Sequence, residues 1–203
     1  MSAAREIFAR DGYVAARIND ISQRAEVATG SFYTYFNNKA EIFTAVFDAV
    51  QEEMLHPRIA ADGAHDDIVA HIEANNRAYL ELYRSNAALM AVIEQMVTVN
   101  DEFRAMRRER GRAFAARNAR SISRLQAQGL ADPDLDADVA ARAISGMVSR
   151  LAYATFVLED DVPFETLVAT TTRLWVNALR IPVGEAPTAA GGDGVAAAAH
   201  RHP

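Results

Sequence analysis

The sequence contains no cysteine, one lysine, one tryptophan and only six prolines among its 203 residues. Without cysteine the chain can form neither a disulfide nor a thiolate metal site, and thiol nucleophiles are excluded. No run approaches the roughly 18 continuous apolar residues that a membrane-spanning helix needs. The first residues, MSAAREIFARDG, carry charge too early for a signal peptide. We therefore expect a cytoplasmic protein without membrane contact, metal or cofactor.

The residues that are present favour helix over strand. Half of them are hydrophobic, alanine, arginine and leucine are frequent, and β-branched runs are few. The spacing of the apolar positions predicts an all-α fold of about nine helices. The net charge is −6, so any attraction to nucleic acid has to come from the local placement of cations.

One stretch, residues 20–39, is more specific than the rest and reads DISQRAEVATGSFYTYFNNK. It predicts a short helix, a tight break and a second short helix over Ser31–Phe36, with Lys39 opening the next helix. Phe32 and Phe36 lie four residues apart and are expected to pack inward. Two helices joined by a tight turn hold the second at a fixed angle, so that its exposed side can enter the major groove of DNA.

The outer face of this helix–turn–helix stretch combines hydrogen-bonding side chains with a cation. Gly30 allows the backbone to approach a phosphate closely, and Lys39 can reach a phosphate beside free backbone N–H groups. The other candidates for DNA contact carry hydroxyl groups: Thr29, Ser31, Tyr33, Thr34 and Tyr35. Taken alone, such a cluster is equally consistent with a solvated helix face.

The spacing Gly-x-x-Tyr-x-x-Phe-x-x-Lys, formed here by Gly30, Tyr33, Phe36 and Lys39, resembles the TetR family of bacterial one-component regulators. Further positions match in order and spacing up to about residue 48: Ala4, Ile7, Phe8, Gly12, Tyr13, Asp20, Ile21, Ala25 and Val27. The resemblance implies a three-helix DNA-binding domain over residues 1–48 and a helical ligand-binding and dimerisation domain over 49–181. Residues 182–203, rich in glycine and alanine, are expected to be disordered.

The resemblance also implies a function: a homodimer that binds a palindromic operator in double-stranded DNA, acts as a repressor, and is released by a small, largely apolar ligand. By position, Tyr33, Tyr35 and Lys39 would contact the DNA backbone. Thr29 and Thr34 are the better candidates for base edges.

Three departures from the family pattern are expected to weaken DNA binding by a single copy. The sequence starts within the first helix of the pattern, without the usual basic arm. Glu26 stands where the turn usually has glycine, and a non-glycine residue with left-handed backbone costs roughly 1 kcal/mol or more. Arg17, at the entrance to the second helix, replaces a hydroxyl that contacts phosphate in the family, which removes an N-cap and adds a cation.

The last two predicted helices, residues 137–158 and 164–180, are apolar over more than one face. A symmetric four-helix bundle between two chains would bury those faces. A monomer that buries them internally is the alternative. The predicted dimer interface consists of Met147, Leu151, Leu167, Thr171, Leu174 and Trp175.

A ligand pocket is expected among the fifth to eighth helices, where polar residues interrupt apolar seams. Its predicted lining is Asn75, Tyr79, Tyr83, Phe114, Asn118, Tyr153 and Phe156. Each polar member can also be a buried group satisfied by backbone or water. The arginine run over residues 104–112 can be read as a coenzyme A phosphate site or, with the acidic residues beside it, as a solvated face.

Two other classes of protein compete with a ligand-responsive regulator. The first is a helical dimer that has lost DNA binding and serves as a ligand-binding or interaction module. The second is an enzyme, but the sequence has no glycine-rich phosphate loop, no ligand-spaced cluster of histidine and acidic residues, and no nucleophile with an evident base. We therefore expect no enzymatic activity.

Overall fold

The computed structural model describes residues 1–55 and 68–182, and every regular element in these ranges is a helix. The helices are α1 (Ser2–Ala15), α2 (Ile18–Arg24), α3 (Thr29–Phe32), α4 (Lys39–Leu55), α5 (Ile68–Ser85), α6 (Ala87–Val99), α7 (Asp101–Ala127), α8 (Ala137–Phe156) and α9 (Phe164–Ala178). The all-α prediction is confirmed. Apart from Pro182, the tail predicted to be disordered lies outside the described residues. Within the described ranges, no helix is both long and apolar enough to cross a membrane.

The apolar spacing of residues 2–11 predicts a first helix that ends at Gly12 with a positive φ, but the helix is only interrupted there. Gly12 has φ 74° and ψ 175°, a conformation that is essentially restricted to glycine. The three residues after it remain helical, so α1 continues to Ala15 beyond the expected end. The bend turns Tyr13 into the core, where its ring centroid lies 5.0 Å from that of Phe43.

The third helix differs from the prediction because it is shorter and begins earlier. It covers Thr29–Phe32 instead of Ser31–Phe36. Beyond Phe32 the hydrogen bonds tighten: the N–H groups of Thr34 and Tyr35 each donate to the carbonyl three residues back, at 3.3 and 3.0 Å. Tyr33, Thr34 and Tyr35 therefore lie in a turn.

An aromatic cluster joins the N-terminal helices to the rest of the chain. Phe8 of α1 packs edge-on against Phe43 of α4 at 4.9 Å, and Tyr13 packs on Phe103 of α7 at 5.5 Å. The same buried core continues through α4 and α6 to α8 and α9. The predicted domain boundary at residue 48 consequently lies inside α4, where the core is continuous.

The C-terminal helices surround a second, smaller core. It contains Ile122 of α7, Ala141 and Ile144 of α8, and Val176 and Leu179 at the end of α9. Helix α7 packs along α8, and α5 packs along α9. Between these pairs the side chains do not fill the interior, and a cavity remains.

Candidate DNA-binding face and ligand cavity

The turn between α2 and α3 is a C-terminal cap with a glutamate in the position that glycine usually takes. Glu26 has φ 57°. The N–H of Val27 donates to the carbonyl of Ser22 at 3.0 Å, and the N–H of Glu26 donates to that of Gln23 at 3.1 Å. This pair of bonds is the Schellman arrangement, in which a left-handed residue ends the helix. The turn that fixes the angle between α2 and α3 therefore contains an exposed acidic residue with a strained backbone.

The short helix α3 and the turn after it present a polar surface. Phe32 is buried against Phe36, with ring centroids 5.7 Å apart. Tyr33 is exposed, and Tyr35 is 77% exposed, which is high for a tyrosine. Gly30, Ser31 and Thr34 are also exposed. The predicted inward and outward sides of the stretch therefore separate in space.

Thr29 differs from the other hydroxyl residues on this surface because it already has a partner. It is half-buried, and its hydroxyl donates to the side-chain oxygen of Asn19 in α2 at 3.0 Å. The bond ties the start of α3 to α2. To contact a base edge, Thr29 would have to use a lone pair of the same hydroxyl or exchange this partner.

Lys39 holds the connection between α1 and α2 and faces the same side as α3. Its ammonium donates to the carbonyl oxygens of Val14 and Ala16, each at 3.0 Å, and lies 4.8 Å from the centre of the Tyr13 ring. A lysine ammonium carries three N–H donors, so one remains for a phosphate. Lys39 therefore has a structural role that the sequence did not indicate.

The start of α4 is fixed by reciprocal capping. The side-chain oxygen of Asn38 accepts from the N–H of Glu41 at 2.9 Å, and the Glu41 carboxylate accepts from the N–H of Asn37 at 2.7 Å. Arg17, by contrast, stands at the N-cap of α2 and makes no side-chain cap. Its side chain is exposed, so it remains available to an anion.

A cavity of about 1080 Å³ lies between α4, α5, α6, α7 and α8, with Trp175 of α9 in its wall. Six of the seven residues predicted to line a pocket do so: Asn75, Tyr79, Tyr83, Phe114, Asn118 and Tyr153. Phe156 does not line it. Its ring packs instead against Tyr83 and Phe164, with centroids 6.3 and 6.4 Å away.

The aromatic part of the cavity wall is neutral at physiological pH. Burial raises the pKa of Tyr79 and that of Tyr83 above the usual value for a phenol, so both remain protonated donors. Tyr79 packs edge-on against Phe114, with ring centroids 5.9 Å apart. Asn118 donates to the hydroxyl of Ser145 at 2.8 Å. The geometry of Asn118 is therefore equally consistent with a ligand contact and with an amide that is already satisfied within the protein.

Sequence reasoning missed Arg117 of α7, a partly buried cation in the cavity wall. It is half-buried, and its guanidinium donates to the side-chain oxygen of Asn75 at 3.0 Å and to the carbonyl of Leu55. The arginine run over 104–112 contributes one lining residue, Arg107, whose Nε lies 3.2 Å from a carboxylate oxygen of Glu94. An arginine in an arginine-rich helix gives no sequence signal that separates a cavity wall from a solvated face.

The predicted dimer interface needs correction at two residues. Leu167 and Thr171 are buried within the chain, Thr171 with 0% exposure. The Thr171 hydroxyl donates to the carbonyl of Leu167 at 2.8 Å, so neither side chain reaches the surface. Trp175 faces the cavity, and Leu174 is 41% exposed.

The outer sides of α8 and α9 form one exposed surface of small and polar residues around Leu174. Met147 and Leu151 are only partly buried. Exposed neighbours on the two helices are Ala143, Gly146, Arg150, Thr166, Ala169, Thr170, Arg173, Asn177 and Ala178. Small side chains allow close approach of another helix.

Taken together, the reciprocally capped α4, the exposed α3 surface and the separate interior cavity are typical of a helix–turn–helix regulator. Among the described residues, no group of histidine and acidic side chains is arranged to hold a metal ion.

Comparison with known proteins agrees with this class. Residues 1–46 match the family of bacterial regulatory proteins called the tetR family. The HTH-type transcriptional regulator TtgR of Pseudomonas putida is 25% identical over 177 residues, which are 80% of each chain. The resemblance to the TetR family that the motif predicted is therefore confirmed over residues 1–46, and the chain is a DNA-binding transcriptional regulator of this type. The relatives are regulators and not enzymes.

Solved structures share the fold at low sequence identity. A TetR-family regulator from Rhodococcus sp. superposes with a TM-score of 0.76 at 16% identity, covering 88% of this chain and 95% of the other. The regulator FadR from Bacillus subtilis, crystallised with stearoyl-CoA, gives a TM-score of 0.73 at 20% identity, covering 88% and 96%. At these identities the likeness establishes the architecture alone.

Proposed function

We propose that this regulator is a homodimeric repressor that binds a palindromic operator and leaves it when a small molecule enters the cavity. One observation carries the proposal: α4 belongs to both sites. It begins with Lys39 beside the α3 surface, and further along Gln51 and Met54 line the cavity. A ligand that displaces this end of α4 therefore moves the start of the same rigid helix.

An ion pair between α7 and α4 strengthens this connection. Arg110 of α7 donates to the carboxylate of Asp48 at 2.7 Å, and it also lies 3.6 Å from Glu52. Helix α7 forms a long wall of the cavity through Phe114 and Arg117. Packed helices with a limited set of arrangements convert small shifts at an effector site into rigid-body motion. In this proposal residues 1–48 read DNA, and residues 49–181 bind ligand and partner.

On the DNA side, exposure supports roles for most of the predicted residues. Tyr33, Tyr35 and the remaining N–H of Lys39 would contact phosphates, together with Arg17 and the backbone of Gly30. Ser31 and Thr34 are free to reach base edges, and Thr29 would do so with its hydroxyl already bonded to α2. The reading surface carries few cations, so a single copy would bind weakly. Two copies on one operator would supply the affinity.

On the ligand side, the cavity suits a small, largely apolar molecule. Its volume is at the upper end of the roughly 300–1,000 Å³ that is usual for such sites. The FadR structure described with stearoyl-CoA is a case in which this fold holds a ligand with a long apolar chain. The exposed surface of α8 and α9, with Leu174 at its centre, is the proposed contact between the two copies.

Selection of bound fragments from random DNA by the full-length protein tests the proposal. We expect enrichment of two inverted half-sites about 10 base pairs apart, or a multiple of that spacing. The variant Tyr35→Ala should lose most of the enrichment, whereas the matched cavity variant Tyr79→Phe should keep it. If wild type enriches nothing but remains a dimer, the chain is instead a ligand-binding or interaction dimer without DNA binding.

A further inference from the structure

The cavity has the opposite charge to the chain as a whole. The protein carries a net charge of −6. Among the described residues, however, its cavity is lined by one glutamate, Glu94, and by five arginines: Arg107, Arg117, Arg124, Arg142 and Arg150. A basic cavity in an acidic protein concentrates positive potential where a ligand would lie. The charge of the lining therefore bears on the kind of molecule that fits.

Most of these arginines are neutralised or solvated. Arg107 pairs with Glu94 at 3.2 Å, so the one lining carboxylate is already engaged. Arg124, Arg142 and Arg150 are exposed, and Arg150 lies 5.3 Å from the centre of the Tyr153 ring. Water can solvate these three guanidinium groups at little cost.

Arg117 is the exception. It is half-buried, and both of its hydrogen-bond acceptors, the Asn75 side-chain oxygen and the Leu55 carbonyl, are neutral. No carboxylate within the described ranges pairs with it. Burial, together with nearby Arg120, lowers the pKa of Arg117, which means that this environment disfavours the charged form. Arginine nonetheless stays charged in proteins, so Arg117 brings an uncompensated charge to the cavity wall.

The guanidinium retains donors for another acceptor. Arginine has five N–H groups, and among the described residues only two hydrogen bonds use those of Arg117, one from each terminal nitrogen. Trp175 also belongs to the cavity wall, and its buried indole N–H has no hydrogen-bond partner among the described residues. Buried donors without acceptors are uncommon, and an interior charge is costly unless it is paired.

We propose that the cavity binds an amphipathic anion, with a carboxylate or phosphate head group against Arg117 and an apolar body against Tyr79, Tyr83 and Phe114. Arginine matches both oxyanions because its N–H groups can donate two parallel bonds. Among the described residues, the one carboxylate that a cationic ligand would meet in the cavity is that of Glu94, which is already paired. This inference names the ligand class of the proposed regulator and rests on the cavity being its effector site.

The single tryptophan makes the test direct, because Trp175 is both the only indole in the chain and part of the cavity wall. Its fluorescence is titrated in the full-length protein with four probes that share a twelve-carbon chain: dodecanoate, dodecyl phosphate, dodecan-1-ol and dodecyltrimethylammonium. We expect one or both anions to bind about 10- to 100-fold more tightly than the alcohol, as a charge-assisted hydrogen bond predicts. The better anion identifies the head group.

Two variants and a control assign the preference to Arg117. Arg117→Gln should bring the anions to the affinity of the alcohol, and Arg117→Lys should keep part of the preference. Arg112→Gln removes an exposed arginine of α7 that does not line the cavity, and it should behave like wild type. If Arg117→Gln still binds the alcohol, its cavity is intact. If Arg117→Gln binds no probe, the anion preference of Arg117→Lys is measured instead, and a preference equal to that of wild type or lost completely contradicts the inference.

The inference is overturned if the alcohol or the cation binds wild type as tightly as the anions, if no probe binds, or if Arg117→Gln keeps the preference. DNA release is measured separately on the selected operator. An anion that binds through Arg117 without releasing DNA leaves the ligand class standing and refutes the proposed release. A failed operator selection likewise refutes the proposed function without touching the fluorescence result.

Discussion

Glu26 combines backbone strain with an acidic charge beside the reading surface, and the two effects can be separated by substitution. It occupies the left-handed position of the Schellman turn with φ 57°. A non-glycine residue there costs about 1–2 kcal/mol relative to ordinary helical backbone. Glycine removes that strain. It also destabilises the folded state by about 0.5–1 kcal/mol, because glycine gives the unfolded chain more conformational freedom. Glu26→Gly should therefore stabilise the protein by roughly 0.5–1 kcal/mol.

The expected gain is measurable by thermal unfolding followed by circular dichroism. For a chain of this length, 1 kcal/mol shifts the midpoint by about 2–4 °C. Removal of the carboxylate should also tighten operator binding, by up to about fivefold if it acts like an exposed charge pair. Fluorescence anisotropy with a labelled operator measures that change.

Two matched variants separate strain from charge. Glu26→Gln removes the charge and keeps the strain, so it should tighten DNA binding without raising the midpoint. Glu159→Gly relieves a second left-handed glutamate, with φ 61°, in the connection between α8 and α9. It should raise the midpoint and leave DNA binding unchanged. The reasoning is refuted if Glu26→Gln stabilises as much as Glu26→Gly, or if neither change at Glu26 affects DNA binding.

Three further substitutions test other parts of the structure. Gly12→Ala should cost about 1–3 kcal/mol in denaturant unfolding, because its φ and ψ exclude a side chain; an unchanged midpoint would show that the kink in α1 is not required. Lys39→Ala should weaken binding to all operators and reduce the slope of log affinity against log salt concentration by about one unit. An unaltered slope would show that Lys39 does not contact a phosphate. Leu174→Arg should give monomers in sedimentation. A dimer that persists in this variant would show that Leu174 of α9 is not in the interface.

The long helices could be predicted from sequence because their apolar stripes run for several turns. Helices α4 and α6, predicted over about residues 39–56 and 87–99, begin and end within a residue of those positions. The four residues of α3 are too few to carry a period, and its start at Thr29 was missed for that reason. The left-handed Glu26 was expected because it depends on one backbone position, whereas Gly12 was expected to end the first helix and instead interrupts it.

The sites were predictable where residue type reflects a local environment. Tyr79 and Phe114 lie in phase on their helices, so their common cavity followed from periodicity. Thr171 was misassigned because an apolar stripe predicts that a face is buried but not whether its own chain or a second copy covers it. Arg117 was missed because its sequence context, an arginine-rich helix, is typical of a solvated face. Only the packing of α7 against α4 and α5 shows that Arg117 lies in the cavity wall and not on a solvated face.

The central claim is that filling the cavity changes the separation of two reading units through α4, and a distance measurement tests it most directly. The chain has no cysteine, so Val14→Cys adds a single spin-label site on an exposed residue of α1. Pulsed electron resonance then gives the distance between the two labels of a dimer. We predict a narrow distribution on the selected operator and a shifted one when dodecanoate saturates the Trp175 fluorescence. An unchanged distribution at saturation would contradict the claim.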